Sequence, residues 1–122
     1  MQESKQSWQV QFHDFPQLRK QLGSLNDAQW QRLIRQLVDD LTLFGVDVTA
    51  TPAGKWLGAG LAEYRYRQHP SVLVRVFIGF QPGRVIVVLG AYDKLRFTAK
   101  RYQSQQIARA RKVLAEYTNY QV

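Results

Sequence analysis

The residues best suited to chemistry lie in the second half of the chain, where cationic and aromatic side chains are interleaved. Arginine and lysine hold phosphate oxygens, and aromatic rings offer stacking faces for unpaired bases. The same residues could also form an ordinary solvated basic surface, so composition alone leaves both interpretations open. The set comprises Arg65, Tyr66, Arg67, Arg75, Phe77, Tyr92, Lys94, Arg96, Phe97, Lys100, Arg101 and Tyr102.

The net charge of the chain is concentrated in the same half. The 122 residues carry a formal charge of +8 at pH 7. Residues 1–50 hold five basic and six acidic side chains, whereas residues 51–122 hold twelve basic and three acidic ones. A field confined to one half favours a polyanionic partner, either a nucleic acid or an anionic membrane. The membrane is the weaker alternative, because no segment reads as a basic amphipathic helix with Trp and Phe on its apolar side.

Several other kinds of site are missing from the sequence. There is no cysteine, which removes disulfides, thiolate ligands and cysteine nucleophiles and suits a cytoplasmic location. Two histidines are too few for a His-rich metal site, and glycine-rich phosphate loops, HExxH and GxSxG motifs are absent. Carboxylates are scarce in the second half, which argues against glycosidase or two-metal nuclease chemistry. We therefore expect no metal and no cofactor, and the lack of a long apolar run predicts no transmembrane helix.

Hydrophobic periodicity predicts the elements of the first half. A short half-buried strand is expected at residues 8–12, followed by a short helix that Asp14 caps. Asn26 and Gln29 resemble a capping box at the start of a longer helix, which Gly45 ends. That helix buries one stripe of apolar residues spaced three and four apart, namely Trp30, Leu33, Ile34, Leu37, Val38, Leu41 and Phe44.

The period changes to two in the second half. Residues 46–60 are predicted to be a loop, after which alternation predicts strands at 61–67 and 72–80, and a near-continuous apolar run predicts a central strand at 84–89. A basic segment and a last helix over residues 104–117 follow. The order β-α-α-β-β-β-α indicates an α+β fold. We expect an antiparallel sheet with the helices packed on one face, which leaves the other face for the basic residues.

Three parts of the second half follow a pattern shared by a known family. They are LGAGLAEYRYR at residues 57–67, VRVFI at 74–78, and a C-terminal series at 89–94, 98–101 and 107–111. In this order they resemble the G-L-x-E-L-R-x-R stretch, the Y-R-V-x-Y/F strand and the ending of RelE/HigB-like toxins of type II toxin–antitoxin systems, in particular the phage-derived branch. The resemblance covers about residues 8–117 as a single RelE-like domain. Residues 1–7 are then a disordered lead-in and 118–122 a C-terminal tail.

This resemblance implies a small RelE-like fold whose sheet cradles mRNA. It also implies an endoribonuclease that cleaves mRNA, usually on the ribosome, and that a cognate antitoxin inhibits. The antitoxin is expected to be a helix-turn-helix protein from the adjacent gene. Metal-free cleavage requires a deprotonated 2′-hydroxyl, a stabilised phosphorane and a protonated 5′-oxygen. Arg65 and Arg75 match the family's basic strand positions and are expected to stabilise the phosphorane.

The remaining roles are assigned by weaker matches. Lys94 matches a position that the family often keeps basic, and Tyr102 could stack on a base or transfer a proton. Both are therefore candidate catalytic residues. Glu63 is either a general base or a salt-bridge partner of a neighbouring arginine, and the C-terminal catalytic histidine of some members has no counterpart. The expected RNA contacts are Arg67, Arg96, Lys100 and Arg101.

A second hypothesis has the same fold without catalysis. The missing histidine leaves room for a relative that only binds RNA or protein. A plain structural protein would leave the one-sided charge unexplained. The presence of a small helix-turn-helix reading frame beside this one would favour the toxin.

Overall fold

Five strands and three α-helices make up the described chain, together with one 3-10 helix. The computed structural model describes residues 7–121, with side chains described through Thr118. The disordered lead-in predicted for residues 1–7 falls outside the described residues, apart from Ser7. In chain order the elements are β1 (Gln9–Phe12), α1 (Phe15–Gln21), α2 (Asp27–Phe44), the 3-10 helix (Gly45–Ala50), β2 (Gly54–Gly58), β3 (Leu61–Gln68), β4 (Val72–Gln81), β5 (Val85–Asp93) and α3 (Lys100–Gln121).

The strands form one mixed sheet in the order β1-β5-β4-β3-β2. The α+β class is confirmed, but the prediction of a wholly antiparallel sheet is wrong, because β1 runs parallel to β5. The prediction of a loop over residues 46–60 is also wrong, since this segment contains most of the 3-10 helix and the edge strand β2. Strand β2 has little alternation of its own. It is held by antiparallel pairing with β3, which a single-segment pattern does not reveal.

The two N-terminal helices begin where their capping residues predict. The Asp14 carboxylate accepts a hydrogen bond from the Gln17 amide at 3.0 Å. At the start of α2, Asn26 and Gln29 form the reciprocal capping box with distances of 2.8 and 2.9 Å. Gly45 ends α2 with a φ of +55°, in the left-handed region that favours glycine. These local predictions are confirmed because each depends on residues close together in sequence.

The helices cover both faces of the sheet, so the expectation that they pack on one face is wrong. Helices α1 and α2 bury one face through leucines such as Leu33, Leu37 and Leu41. Helix α3 packs on the opposite face, where Ala110 and Leu114 lie against Phe77 and other apolar residues of the central strands. That second face carries too much apolar surface to remain in water, so it requires a cover of its own.

Helix α3 is longer than predicted and approaches the sheet closely. It begins at Lys100 and ends at Gln121, four residues beyond the predicted range at each end. The close approach occurs over Gly79, where an added Cβ would lie only 2.5 Å from the Leu114 side chain. Near the N-terminal end of α3, two arginine side chains remain partly exposed to solvent. Arg65 on β3 is 39% exposed and Arg75 on β4 is 18% exposed. The basic residues therefore lie on a partly covered face.

A β-bulge in β5 changes which of its side chains reach the α3 face. The pairing with β4 shifts between Phe77 and Ile78, so that Gly90 and Val88 are their respective partners and Leu89 is the extra residue. As a result Leu89 and Tyr92 both belong to the core under α3. Strict alternation would instead have directed Tyr92 toward α1 and α2.

Candidate active site

A row of three polar side chains crosses the three central strands on the α3 face, near the end of the sheet at which β5 finishes. Arg65 on β3 lies directly opposite Arg75 on β4. Arg75 in turn lies opposite Tyr92 on β5. Directly opposed residues on adjacent strands have their Cβ atoms about 5 Å apart, so the three side chains are neighbours. The structure thus brings together the two arginines that the sequence singled out.

Glu63 provides the negative charge for this row. Its side chain is 1% exposed, and its Oε2 accepts a hydrogen bond from Arg65 Nε at 3.4 Å. The other oxygen, Oε1, lies 3.9 Å from Arg75 Nε, within ion-pair distance. Of the two roles considered for Glu63, the contact observed is the salt bridge, made with both arginines. A buried carboxylate needs such partners, because an unpaired charge in the interior is costly.

Three polar atoms of this cluster have no hydrogen-bond partner among the described residues. They are Glu63 Oε1, Arg75 Nε and Tyr92 Oη, and all three are shielded from solvent. Burial raises the pKa of the Tyr92 hydroxyl, and the negative Glu63 raises it further, while Arg75 acts in the opposite direction. Tyr92 therefore remains protonated and able to donate. Arg75 Nε and Tyr92 Oη are donors and Glu63 Oε1 is an acceptor, so a small polar group could form hydrogen bonds with them.

An aromatic series leads from this cluster toward the surface. Its members are Phe77, Tyr92, Tyr102 and Phe97, and each contacts the next. The rings of Phe77 and Tyr92 stack at 6.0 Å between centroids, and Tyr102 meets Tyr92 edge-on at 5.3 Å. Phe97 then stacks on Tyr102 at 4.3 Å, with an angle of 11° between the ring planes. Tyr102, a predicted catalytic residue, is thus joined to Arg75 through Tyr92.

Lys94, the fourth predicted catalytic residue, lies one row further along the sheet. Its amide donates to the carbonyl of Leu73 at 2.8 Å, which extends the β4–β5 pairing by one residue. Its ammonium donates to the carbonyl of Thr98 at 3.4 Å, across its own loop. The contacts of Lys94 therefore stabilise its own loop. The residue lies beside the arginine row and outside the Glu63 cluster.

The four predicted RNA contacts surround the same end of the sheet and are all exposed. Arg67 lies two residues from Arg65 on β3 and so projects from the same face. Arg96 lies in the loop after β5, with its guanidinium 5.9 Å from the Phe97 ring centroid. Lys100 and Arg101 form the first turn of α3. Their placement around the arginine row is consistent with a cationic rim.

The site residue that the sequence interpretation missed is Tyr92. Tyr92 belongs to the interleaved basic and aromatic set, but the sequence predicts no individual role for it. The predicted strand ended at Leu89, so Tyr92 was placed in a polar segment rather than opposite Arg75. Gly90 inside β5 is compatible with a bulge, since glycine in a strand often marks one, but it does not fix the position of the bulge.

Two further features concern metals and membranes. Among the described residues, no group of three or more His, Asp or Glu side chains is placed to hold a metal ion. In the same part of the chain, no helix combines the length and the hydropathy needed to cross a lipid bilayer.

Comparison of the chain with protein-family models found no matching family, and comparisons with curated proteins and with solved structures found no significant match. The similarity to RelE/HigB-like toxins therefore rests on the sequence motifs. What the fold itself defines is a small α+β domain with a cationic, aromatic-lined cluster at one end of its sheet.

Proposed function

We propose that this protein is the toxin component of a type II toxin–antitoxin module, an endoribonuclease that cleaves mRNA on the ribosome in the cytoplasm. Its partners would be mRNA, the ribosome and a cognate antitoxin of the helix-turn-helix type. The observation that supports this best is the opposed pair Arg65 and Arg75, held by one buried carboxylate. Two cations fixed side by side on a sheet suit a phosphodiester that gains negative charge during reaction.

The arginines supply electrostatic stabilisation. In RNA cleavage the 2′-oxygen bonds to phosphorus while the bond from phosphorus to the 5′-oxygen breaks. The pentacoordinate species between these events carries an additional negative charge, and fixed cations stabilise it more than the starting diester. Each arginine approaches Glu63 through Nε, so the Nη groups are the part of each guanidinium that can hold phosphate oxygens.

Glu63 and Tyr92 are buried residues that position the two arginine side chains. Glu63 lies between them and offsets their mutual repulsion, which fixes both guanidinium groups before RNA arrives. Tyr92 is the cross-strand neighbour of Arg75 and carries a buried hydroxyl with no partner among the described residues. Both are positioning residues in this proposal, because neither is exposed enough to meet RNA directly.

Proton transfer is assigned to Tyr102 and Lys94, the two remaining predicted catalytic residues. One proton leaves the 2′-hydroxyl and another reaches the departing 5′-oxygen. Tyr102 is closer to the arginine row, since its ring contacts Tyr92 at 5.3 Å between centroids. Lys94 lies at the start of the loop after β5, where its ammonium donates to the Thr98 carbonyl. A phenol or ammonium donor beside the bound phosphate suits the second transfer, and water or the other of these two groups in its deprotonated form accepts the proton of the 2′-hydroxyl.

A non-catalytic RNA-binding protein is the second candidate. The observation that favours it is the burial of Glu63, the carboxylate at the centre of the site. A carboxylate shielded from solvent and engaged by two cations is a poor acceptor for a substrate proton. The cationic rim would then bind single-stranded RNA without cutting it.

Induced expression in a bacterial host tests the proposal. We expect arrested growth and shortened mRNAs, both relieved by co-expression of the small protein encoded in the adjacent gene. The Arg65→Ala variant is the matched control, since it should express equally and leave messages intact. Normal growth with intact messages at high expression would remove the toxin assignment. RNA binding by the purified protein without cleavage, even when ribosomes are added, would favour the second candidate.

A further inference from the structure

Phe97 is an exposed aromatic side chain connected to the arginine row. It is 39% exposed and occupies the outer end of the aromatic series that begins at Phe77. Other exposed aromatics contact different parts of the fold. Phe15 packs against Trp30, with centroids 5.5 Å apart, and Trp56 approaches Phe80 at 5.9 Å. The exposed ring of Phe97 contacts Tyr102, which contacts Tyr92 beside Arg75, and this placement is suited to ligand binding.

The loop that carries Phe97 is anchored to the sheet. The Phe97 amide donates to the carbonyl of Asp93 at 3.0 Å, and the amide of Leu95 donates to the Asp93 carboxylate at 3.0 Å. The same carboxylate accepts a hydrogen bond from the Ser24 hydroxyl at 2.5 Å. Asp93 is buried at the end of β5. The ring is therefore mounted on a fixed turn, which lowers the entropy lost when a ligand binds to it.

One face of the Phe97 ring already takes part in a stack. Tyr102 covers it at 4.3 Å with the planes nearly parallel. A planar group placed on the other face would extend the stack from Tyr102 through Phe97 to the ligand. The exposed guanidinium of Arg96 lies over the ring, 5.9 Å from its centroid, so it has to move aside to admit a base and can then close over the base or hold its phosphate.

We propose that the outer face of Phe97 is a binding subsite for one unpaired nucleobase, next to the phosphate held by Arg65 and Arg75. The proposal rests on the proposed function for the identity of the ligand as single-stranded RNA. Tyr102 and Tyr92 link the subsite to Arg75, so the stacked base belongs to a nucleotide neighbouring the bound phosphate. Stacking tolerates any base, and larger rings gain more contact, so purines should bind more tightly than pyrimidines there.

Fluorescence of 2-aminopurine tests this subsite separately from cleavage. Short oligoribonucleotides with 2′-O-methyl groups throughout cannot be cut, and 2-aminopurine is placed at each position in turn. We expect wild-type protein to quench one position strongly. The Phe97→Leu variant keeps an apolar side chain but loses the ring, so it should lose that quenching and bind about 5- to 150-fold more weakly. Phe97→Trp should restore both.

Phe15→Leu is the matched control, because Phe15 is 41% exposed and the substitution is identical. It should bind and quench as the wild type does. Equal quenching and affinity in Phe97→Leu and wild type would overturn the subsite, as would equal losses in the two leucine variants. Failure of wild-type protein to bind any of these oligonucleotides would also overturn it.

The subsite and the proposed enzyme can fail separately. If wild-type protein quenches one position but leaves mRNA uncut in a translation reaction that contains ribosomes, the subsite stands and the ribonuclease assignment falls. If it cuts RNA and Phe97→Leu retains affinity, quenching and cleavage, the ribonuclease stands and the subsite falls.

Discussion

Arg65 and Arg75 lie directly opposite each other in the antiparallel β3–β4 pair. Like charges in this relationship destabilise a sheet. The buried carboxylate of Glu63, 3.4 Å from one Nε and 3.9 Å from the other, offsets the repulsion. A pair of cations held together in this way is less stable than apolar residues would be at the same positions, and such local conflicts are typical of binding sites.

Removal of one arginine should affect activity much more than folding. For Arg65→Ala we expect the cleavage rate to fall by about 10²–10³, as for loss of one fixed group that stabilises a transition state. The free energy of unfolding should fall by about 1–2 kcal/mol, because the buried Glu63 keeps only its 3.9 Å contact with Arg75. Single-turnover cleavage and urea unfolding measure the two effects. Arg109→Ala on the exposed side of α3 should be nearly silent, and full activity of Arg65→Ala would place the active site elsewhere.

Glu63 should prove more important for stability than its surface counterparts. Glu63→Gln leaves the opposed arginines without their counter-charge, and we expect a loss of about 1–3 kcal/mol in the free energy of unfolding. Glu116→Gln, on the exposed surface of α3, should change the same quantity by less than about 0.5 kcal/mol. Urea titrations of both variants compare them. Similar small losses would show that the carboxylate does not hold the arginines.

Two buried tyrosines should make the protein less stable in alkali. Burial raises the pKa of Tyr64 and of Tyr92, with Asp40 and Glu63 respectively adding to the effect. The unfolded chain releases these protons as the pH passes about 10, whereas the folded chain retains them. The stability is therefore present below about pH 10 and is lost above it, by up to about 1.4 kcal/mol per pH unit for each tyrosine.

Phenylalanine variants distinguish the contributions that the Tyr64 and Tyr92 hydroxyls make to stability. Both Tyr92→Phe and Tyr64→Phe should lose stability less steeply between about pH 9 and 11 than wild type does. At neutral pH they should differ. Tyr64→Phe removes a 2.6 Å hydrogen bond to Asp40 and should cost about 1.5–3 kcal/mol, whereas Tyr92→Phe removes a hydroxyl without a partner among the described residues and should cost little. Unchanged alkaline slopes in both variants would contradict the assignment.

Gly45 and Gly58 should respond differently to the same substitution. Both have positive φ, at +55° and +93°, so alanine at either position costs about 1 kcal/mol of backbone strain. At Gly45 the new Cβ would also lie 1.9 Å from the Trp8 indole, while nothing lies within 4 Å at Gly58. Gly45→Ala should therefore lose at least about 1 kcal/mol more than Gly58→Ala in urea unfolding. Equal losses would mean that Trp8 moves away without cost.

RNA affinity should fall steeply with salt. Each phosphate contacted by a cation releases about 0.7 counterions from single-stranded RNA, so the logarithm of the binding constant falls linearly with that of the salt concentration. Arg67→Gln should reduce this slope by about 0.7 and weaken all sequences equally. Fluorescence titrations of wild type and variant over a series of salt concentrations measure the slope. A flat response would exclude the basic half as a nucleic-acid surface.

Much of the candidate site could be predicted from sequence, because its residues lie on strands with clear alternation. Period two predicts that Arg65 and Arg75 share one face of the expected β3–β4 hairpin, whereas their direct opposition depends on the register of the pairing, which the sequence pattern does not give. A salt bridge from Glu63 to a neighbouring arginine is one of the two roles that the sequence suggests, and in the structure Glu63 contacts both arginines. Tyr92 lay beyond prediction, since a bulge shifts alternation by one residue and leaves no periodic signal.

The sequence by itself determined the local features of this protein. The caps at Asp14 and Asn26, the stop at Gly45, the α+β class and the one-sided charge depend on residues close in sequence or on composition. Tertiary structure decided the parallel pairing of β1 with β5, the edge strand β2, and the cover that α3 places over the second face. These depend on contacts between distant segments, whose favourable burial and hydrogen bonding outweigh local preference only after the chain has folded.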